Sequence, residues 1–212
     1  MFSIKKFTFS PIQENTYVLF NDEKQGIIID PGCYFEEEKE QLKLFIDQNK
    51  IEPVLLLNTH CHLDHVFGNK FVAETWNLTL HVHEKEKKIL ERAPASALMF
   101  NMPFDNYTGD LVFLEEGKMI STGPDKLKIL FTPGHSPGSI CFYSEDQSFA
   151  ISGDVLFQGS IGRTDLVDGD YDTLIGSIRN QLLTLEGDVI IHPGHGGETS
   201  TWIEKSSNPF LI

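Results

Sequence analysis

Cysteine is scarce in this sequence: Cys33, Cys61 and Cys141 are the only three, odd in number and far apart. No disulfide framework can be built from them, and a reducing compartment is the expectation. Basic residues are short as well, 17 Lys and Arg against 31 Asp and Glu, which leaves a net charge of −14. So acidic a surface repels phosphate backbones and anionic lipid, weighing against nucleic acid or a membrane as partner. No apolar run approaches the roughly 18 residues of a membrane span. The opening MFSIKKFTFS lacks the continuous apolar stretch and the small-residue cleavage site of a signal peptide. Repeats, low-complexity segments and linkers are missing too. What remains is 40% hydrophobic, enough for one well-buried domain across residues 1–212. We expect a cytoplasmic protein, with a monomer as the default.

Hydrophobic patterning alternates strands with helices. Residues 2–9 and 15–20 flank a Pro11-bearing turn and read as a hairpin. GIIIDPG (26–32) reads as a short buried strand, and 35–49 as a helix with Phe35, Leu42, Phe45 and Ile46 near one face. PVLLLNTH (53–60) is a continuous apolar run that suggests a strand buried on both faces. A helix over roughly 65–77, a strand at 79–83 and a charged helix at 84–92 follow. Residues 93–110 resist assignment, because Pro, Gly, Asn and Asp are mixed there with Leu98, Met99, Phe100, Met102 and Phe104. That much apolar surface suits a substrate wall, with Met99 and Phe100 as contacts, or a loop packed on the core. Strands at 126–135, 139–144, 148–154 and 188–195 and a helix near 171–184 complete an α/β pattern of two sheets with helices outside them.

Five of the eight histidines sit at strand-to-loop exits. THCHLDH (59–65) follows the strand at 53–57, and in extended chain residues 60, 62 and 64 project to one side while 65 points to the other. One loop can therefore serve two neighbouring metals if it turns into a helix at Asp64. ILFTPGH ends at His135, FAISGD at Asp154 and VIIHPGH at His195, each an apolar strand, then a glycine, then a potential ligand. Imidazoles and carboxylates without an obligatory thiolate fit two divalent ions, zinc foremost, with iron or manganese also suited. The set His60, His62, Asp64, His65, His135, Asp154 and His195 is too large for one tetrahedral ion. A lone histidine is usually a packing residue, and that is the expectation for His81, His83 and His192. The full set is too specific for coincidence.

These residues resemble the metallo-β-lactamase-fold superfamily, and within it the short, single-domain glyoxalase II-like group. The resemblance runs through THCHLDH, TPGHSPGS, SGDVLFQGSIGRTDL, HPGHG and the closing SSNPFLI. It implies an αββα four-layer sandwich. It also implies that His60, His62 and His135 hold one metal and Asp64, His65 and His195 a second, with Asp154 bridging. The implied chemistry is thioester hydrolysis, Asp64 and Asp154 being the catalytic carboxylates and an S-acyl (2-hydroxyacyl) glutathione-type thioester the small-molecule partner. Two metals about 3.5–4 Å apart activate a water and polarise the carbonyl. Cys61, inside the ligand motif, is expected to pack away from the metals.

The match thins away from the ligands. Only 17 residues follow His195, with Lys205 their one basic side chain, so the helical segment with which glutathione thioesterases grip their thiol is not expected. Gly197 stands where those enzymes resemble one another in having tyrosine. Arg163 falls where they place a cationic substrate contact, and it also suits a structural tie from the GRTD turn to Asp165 or Asp168. The persulfide dioxygenases of the same fold are the alternative reading, with a single iron on the equivalents of His60, His135 and Asp154. A nuclease or a non-catalytic metal-binding module is a weaker one. The NPF tail (208–210) suits docking on the core or an oligomer contact.

Overall fold

The computed structural model describes all residues, Met1–Ile212, and every peptide bond is trans. The chain forms two compact units, residues 1–113 with 121–125, and residues 114–120 with 126–212. No helix is long and apolar enough to cross a membrane.

The first unit is built on a six-stranded sheet in chain order: β1 (Ser3–Phe9), β2 (Glu14–Phe20), β3 (Gln25–Ile29), β4 (Glu52–Leu57), β5 (Leu80–His83) and β6 (Leu111–Leu114). The β1–β2 hairpin is antiparallel, Phe7 opposite Thr16, with Pro11 in its turn as expected. β3, β4 and β5 run parallel, so each connection needs a helical crossover. α1 (Glu36–Asn49) supplies the first, burying Leu42 and Ile46. Phe35, expected on that face, instead sits at the N-cap, 47% exposed. Three residues on, Glu38 accepts the N–H groups of Phe35 (3.0 Å), Tyr34 (2.7 Å) and Ser10 (2.7 Å), satisfying orphan donors at the helix start and pinning the hairpin turn to it. The second crossover, expected as one helix, is two: α2 (Leu63–Val66) and α3 (Asn69–Trp76). Val18, Ile28, Leu56, Leu80 and Val82 pack with Leu42, Ile46, Val72 and Leu90 in one core.

A 3-10 turn at Glu84–Glu86 leads into α4 (Lys87–Met99), which continues past the expected end at residue 92 although Pro94 lies inside it. Proline has no N–H to bond the carbonyl four residues back. That carbonyl, Leu90 O, instead accepts the side-chain amide of Asn106 at 2.8 Å. The apolar residues beyond the helix divide: Met102 is buried, and Phe104 packs on Phe67, while Leu98, Met99 and Phe100 face outward.

A second six-stranded sheet is ordered β14-β13-β10-β9-β8-β7: β7 (Met119–Thr122), β8 (Asp125–Phe131), β9 (Ile140–Ser144), β10 (Phe149–Gly153), β13 (Ile190–Pro193) and β14 (Thr199–Ser200). A short hairpin, β11 (Leu156–Phe157) and β12 (Ser160–Ile161), follows β10. The parallel pair β10–β13 is bridged by α5 (Tyr171–Ser177), which runs on as a π-turn at Ile178–Leu182. Leu174, Ile178 and Leu182 pack against Cys141, Ala150 and Ile191. α6 (Thr201–Ser207) closes the chain, and the tail docks on its own unit through Asn208 and Leu211, 0% and 9% exposed. None of the three cysteines is in a disulfide, and all are buried.

Candidate metal centre

In the first unit the ligand motif begins where β4 ends. His62 is the N-cap of α2, which places Asp64 and His65 in the first helical turn, the change from strand to helix that a two-sided ligand loop requires. His60, Asp64 and His65 are buried. The ring centroids of His60 and His65 stand 4.1 Å apart, those of His60 and His62 4.8 Å.

Asp30, one residue past β3, organises this loop. Its Oδ1 accepts the Thr59 N–H at 2.7 Å and the Asn58 side-chain amide at 3.1 Å. Its Oδ2 accepts the Thr59 hydroxyl at 2.6 Å and lies 3.1 Å from His65 Nδ1. A carboxylate only accepts, so His65 carries its proton on Nδ1. The Thr59 hydroxyl has spent its one proton on Asp30, so at 3.1 Å it accepts from His60 Nδ1. Both imidazoles are thereby fixed as the tautomer whose Nε2 carries the lone pair a metal needs. Potential ligand atoms of Asp30, His60 and His65 all lie within 4.8 Å of one another. Glu86, 0% exposed, accepts the Cys61 N–H at 2.7 Å and holds the loop from its other side. Cys61 itself packs in the core, as expected, and burial pushes its thiol far above the usual range. Burial likewise raises the carboxyl of Glu14, whose Oε1 lies 3.9 Å from His65 Nδ1.

In the second unit His135, Asp154 and His195 follow β8, β10 and β13. Gly134 lies at φ +133°, and a β-carbon there would stand 2.3 Å from the Leu174 nitrogen, so only glycine brings the β8 exit this close to α5. His135 donates from Nδ1 to the carbonyl of Arg163 at 2.7 Å, which again directs Nε2 outward. Gly162 makes that possible: a β-carbon on it would meet the Asp154 carbonyl at 1.9 Å. Asp154 Oδ2 lies 3.5 Å from His135 Nε2 and also 3.5 Å from His195 Nε2. Two donors on one tetrahedral ion with bonds of ~2.0–2.1 Å stand about 3.4 Å apart. The donor set therefore fits borderline divalent metals by chemistry, tautomer and spacing.

The Arg163 guanidinium is engaged, Nε and Nη2 donating to the two oxygens of Asp165 at 2.7 Å each. This bidentate tie holds the Asp165 carboxyl down to about 2. Of the two acids expected as candidates for the tie, the structure selects Asp165. Met99 and Phe100 end α4 at 85% and 60% exposure. His81 bonds the Thr79 carbonyl at 2.9 Å, the His83 ring accepts the Lys85 N–H at 3.3 Å, and His192 pairs with Glu198 at 3.1 Å, the structural roles expected of them. Asp30, Glu86 and the Arg163 carbonyl were not foreseen, and only Asp30, an acid closing an apolar strand, carried a readable signal.

The chain matches the family profile of the Metallo-beta-lactamase superfamily over residues 10–195, and it belongs to that superfamily. Its fold is the metallo-β-lactamase fold, and the chain is a metallohydrolase of that superfamily. It is similar to the hydroxyacylglutathione hydrolase GloC of Haemophilus influenzae, 41% identical over 215 residues that cover 99% of this chain and 98% of the relative. Among solved structures it is similar to the BLEG-1 B3 metallo-β-lactamase, with TM-score 0.90, 37% identity, and 99% of this chain and 100% of that one covered. It is also similar to TTHA1623 in a di-iron-bound form, with TM-score 0.88, 34% identity, and 98% and 100% covered.

Proposed function

We propose that this chain is a dinuclear thioester hydrolase, glyoxalase II-like, that cleaves S-acyl glutathione-type thioesters. The observation that carries the dinuclear reading is that one Asp154 oxygen stands 3.5 Å from both His135 Nε2 and His195 Nε2, close enough for the carboxylate to share an ion with each imidazole. The likeness to a relative named hydroxyacylglutathione hydrolase supports the substrate class, and the likeness to a di-iron-bound structure supports the metal count. His60, His62 and His135 would hold one ion, Asp64, His65 and His195 the other, and Asp154 both. Zinc is the metal proposed, with iron and manganese accepted by the same donors.

When bound, such a pair lowers the pKa of water towards neutrality and polarises the thioester carbonyl. The chain's residues do the rest. Asp30 and Thr59 keep the His65 and His60 tautomers right, and the Arg163 carbonyl does the same for His135. Asp64 would orient the attacking water by accepting a hydrogen bond from it. Asp154 would offset the positive charge of the ions it helps to hold. No serine or cysteine nucleophile is needed, and Cys61 is 0% exposed.

Metal analysis of protein purified without added metal, run beside hydrolysis of S-lactoylglutathione, tests this reading. About two ions per chain with turnover, both lost in Asp154→Ala, is the expected result. One iron per chain, with oxygen uptake on glutathione persulfide and no thioester cleavage, overturns it in favour of a dioxygenase. Cleavage of nitrocefin without thioester cleavage overturns the substrate class.

A further inference from the structure

The β11–β12 hairpin lies directly after Asp154, yet none of its side chains belongs to the ligand set. Its sequence, LFQGSI (156–161), carries no charge in a chain of net charge −14. Two residues per strand are too few to hold such a ribbon by their own ladder. It is held from outside instead. Glu204 in α6, 0% exposed, accepts the Gly159 N–H at 3.0 Å through Oε2 and the Thr199 hydroxyl at 2.5 Å through Oε1. Asn208, also 0% exposed, donates to the Ser160 carbonyl at 3.0 Å and to Glu204 at 2.7 Å. Burying a carboxylate and an amide is costly unless their bonds are made, and here those bonds run to the tip of an exposed turn. A core gains little from that arrangement; a surface that must stand still gains a great deal.

What is held still faces the ligand His195. The Phe157 ring lies edge-on to the His195 imidazole, centroids 6.3 Å apart. Gln158 follows at the tip, and its carboxamide oxygen would lie 3.6 Å from a β-carbon on Gly197. Gly196 and Gly197 present no side chain, so the Gln158 amide beside Gly197 is a polar group open to a substrate at this rim. An amide donates and accepts but carries no charge.

We infer that this hairpin is a substrate-recognising wall and that Gln158 is a specificity-determining residue, bonding a neutral polar group of the thioester (a hydroxyl or an amide) next to the reacting carbonyl. The inference rests on the thioesterase reading and extends it. Glu204 and Asn208 are positioning residues that act through the hairpin.

The test is steady-state kinetics of metal-loaded Gln158→Ala with three thioesters, beside its metal content. With S-lactoylglutathione, kcat/KM falls about threefold to tenfold, carried by KM, the size of one neutral hydrogen bond; kcat and metal content stay at wild-type values. If the loss vanishes with S-propionylglutathione, Gln158 reads the acyl hydroxyl. If it vanishes with the lactoyl thioester of a simple alkanethiol, it reads an amide of the thiol. An unchanged KM, or an equal loss with all three substrates, overturns the inference while leaving the thioesterase reading intact. No turnover by loaded wild-type protein overturns both. Glu204→Ala reproduces the rise in KM, and Glu204→Gln, which keeps an acceptor for Gly159, restores it; a Glu204→Ala protein with wild-type KM removes the positioning role.

Discussion

Replacing Asp30 by asparagine exchanges one oxygen for an amide nitrogen at constant shape, which isolates the role of the carboxylate. If the nitrogen takes the Oδ2 place, it faces the Thr59 hydroxyl and His65 Nδ1; in the Oδ1 place it faces the Thr59 N–H and the Asn58 amide. The hydroxyl can turn to accept, so the first placement leaves one buried donor, His65 Nδ1–H, against a donor and the second leaves two. At about 1–3 kcal/mol for each bond left unmade in the interior, the expected loss of stability is about 3 kcal/mol. A domain of this size loses about 2–4 °C of Tm per kcal/mol, so the metal-free protein should melt about 6–12 °C lower. The hydroxyl of Thr59 is also released from Asp30 and His65 loses the acceptor that fixes its tautomer, so metal affinity should fall about 10-fold to 100-fold. Calorimetry on the metal-free variant and zinc titration against a chromophoric chelator read the two effects separately. A Tm within about 2 °C of wild type together with unchanged affinity would refute the claim that Asp30 sets both structure and tautomer.

Four further outcomes are expected. Truncating Met99 and Phe100 to alanine should raise KM for S-lactoylglutathione with no loss of stability, since both are already exposed; unaltered kinetics would remove them from the substrate wall. Arg163→Ala should retain its full metal content, because His135 is held by the Arg163 carbonyl and not by the guanidinium, and metal loss by plasma emission spectroscopy would contradict this. The Asp165 carboxyl that Arg163 holds down to about 2 lies below its unfolded value, so this tie is complete at neutral pH and is lost only as pH falls from about 4 towards 2; a difference between wild type and Arg163→Ala in thermal melts that grows above pH 5 would contradict the assignment. Finally, Asn106→Ala should cost about 1–2 kcal/mol by orphaning the Leu90 carbonyl, and distinctly less in a Pro94→Ala background where residue 94 regains an N–H. Equal costs in the two backgrounds would show that Asn106 is not what compensates for Pro94.

The fold was legible wherever burial wrote a pattern. α1, the strands from β1 to β5 and those from β8 to β10 follow from period-2 or continuous apolar runs bounded by turn residues. The second crossover reads as one helix in the sequence because its break, at Phe67–Gly68, carries no proline. The break is instead forced by packing: a β-carbon on Gly68 would stand 2.4 Å from the Cys33 sulfur. α4 reads shorter in the sequence than in the structure for the converse reason, since Pro94 is a local stop signal overruled by a side chain twelve residues further on. β6 went unread because its LVFL is half exposed and shows no alternation, and α6 because seven residues are too short for a period to declare itself.

The site divides along a similar line. Its candidate ligands stand out because metal chemistry restricts the residue types and strand exits restrict their places, so each of four motifs far apart in the chain is conspicuous alone. The groups that make the ligands usable were not. The Arg163 carbonyl is a backbone atom that any residue would supply, so its role lies in Gly162 allowing the close approach, and the sequence shows only one glycine among 17. Glu86, Glu204 and Asn208 look like surface residues in short polar segments, yet all three are 0% exposed, each taking up a backbone group of a loop. A buried carboxylate is tolerated only where several donors converge on it. The ligands thus identify the chemistry, whereas the buried acids and amides identify the loops that must not move, and the second set becomes readable only when hydrogen-bond partners can be counted.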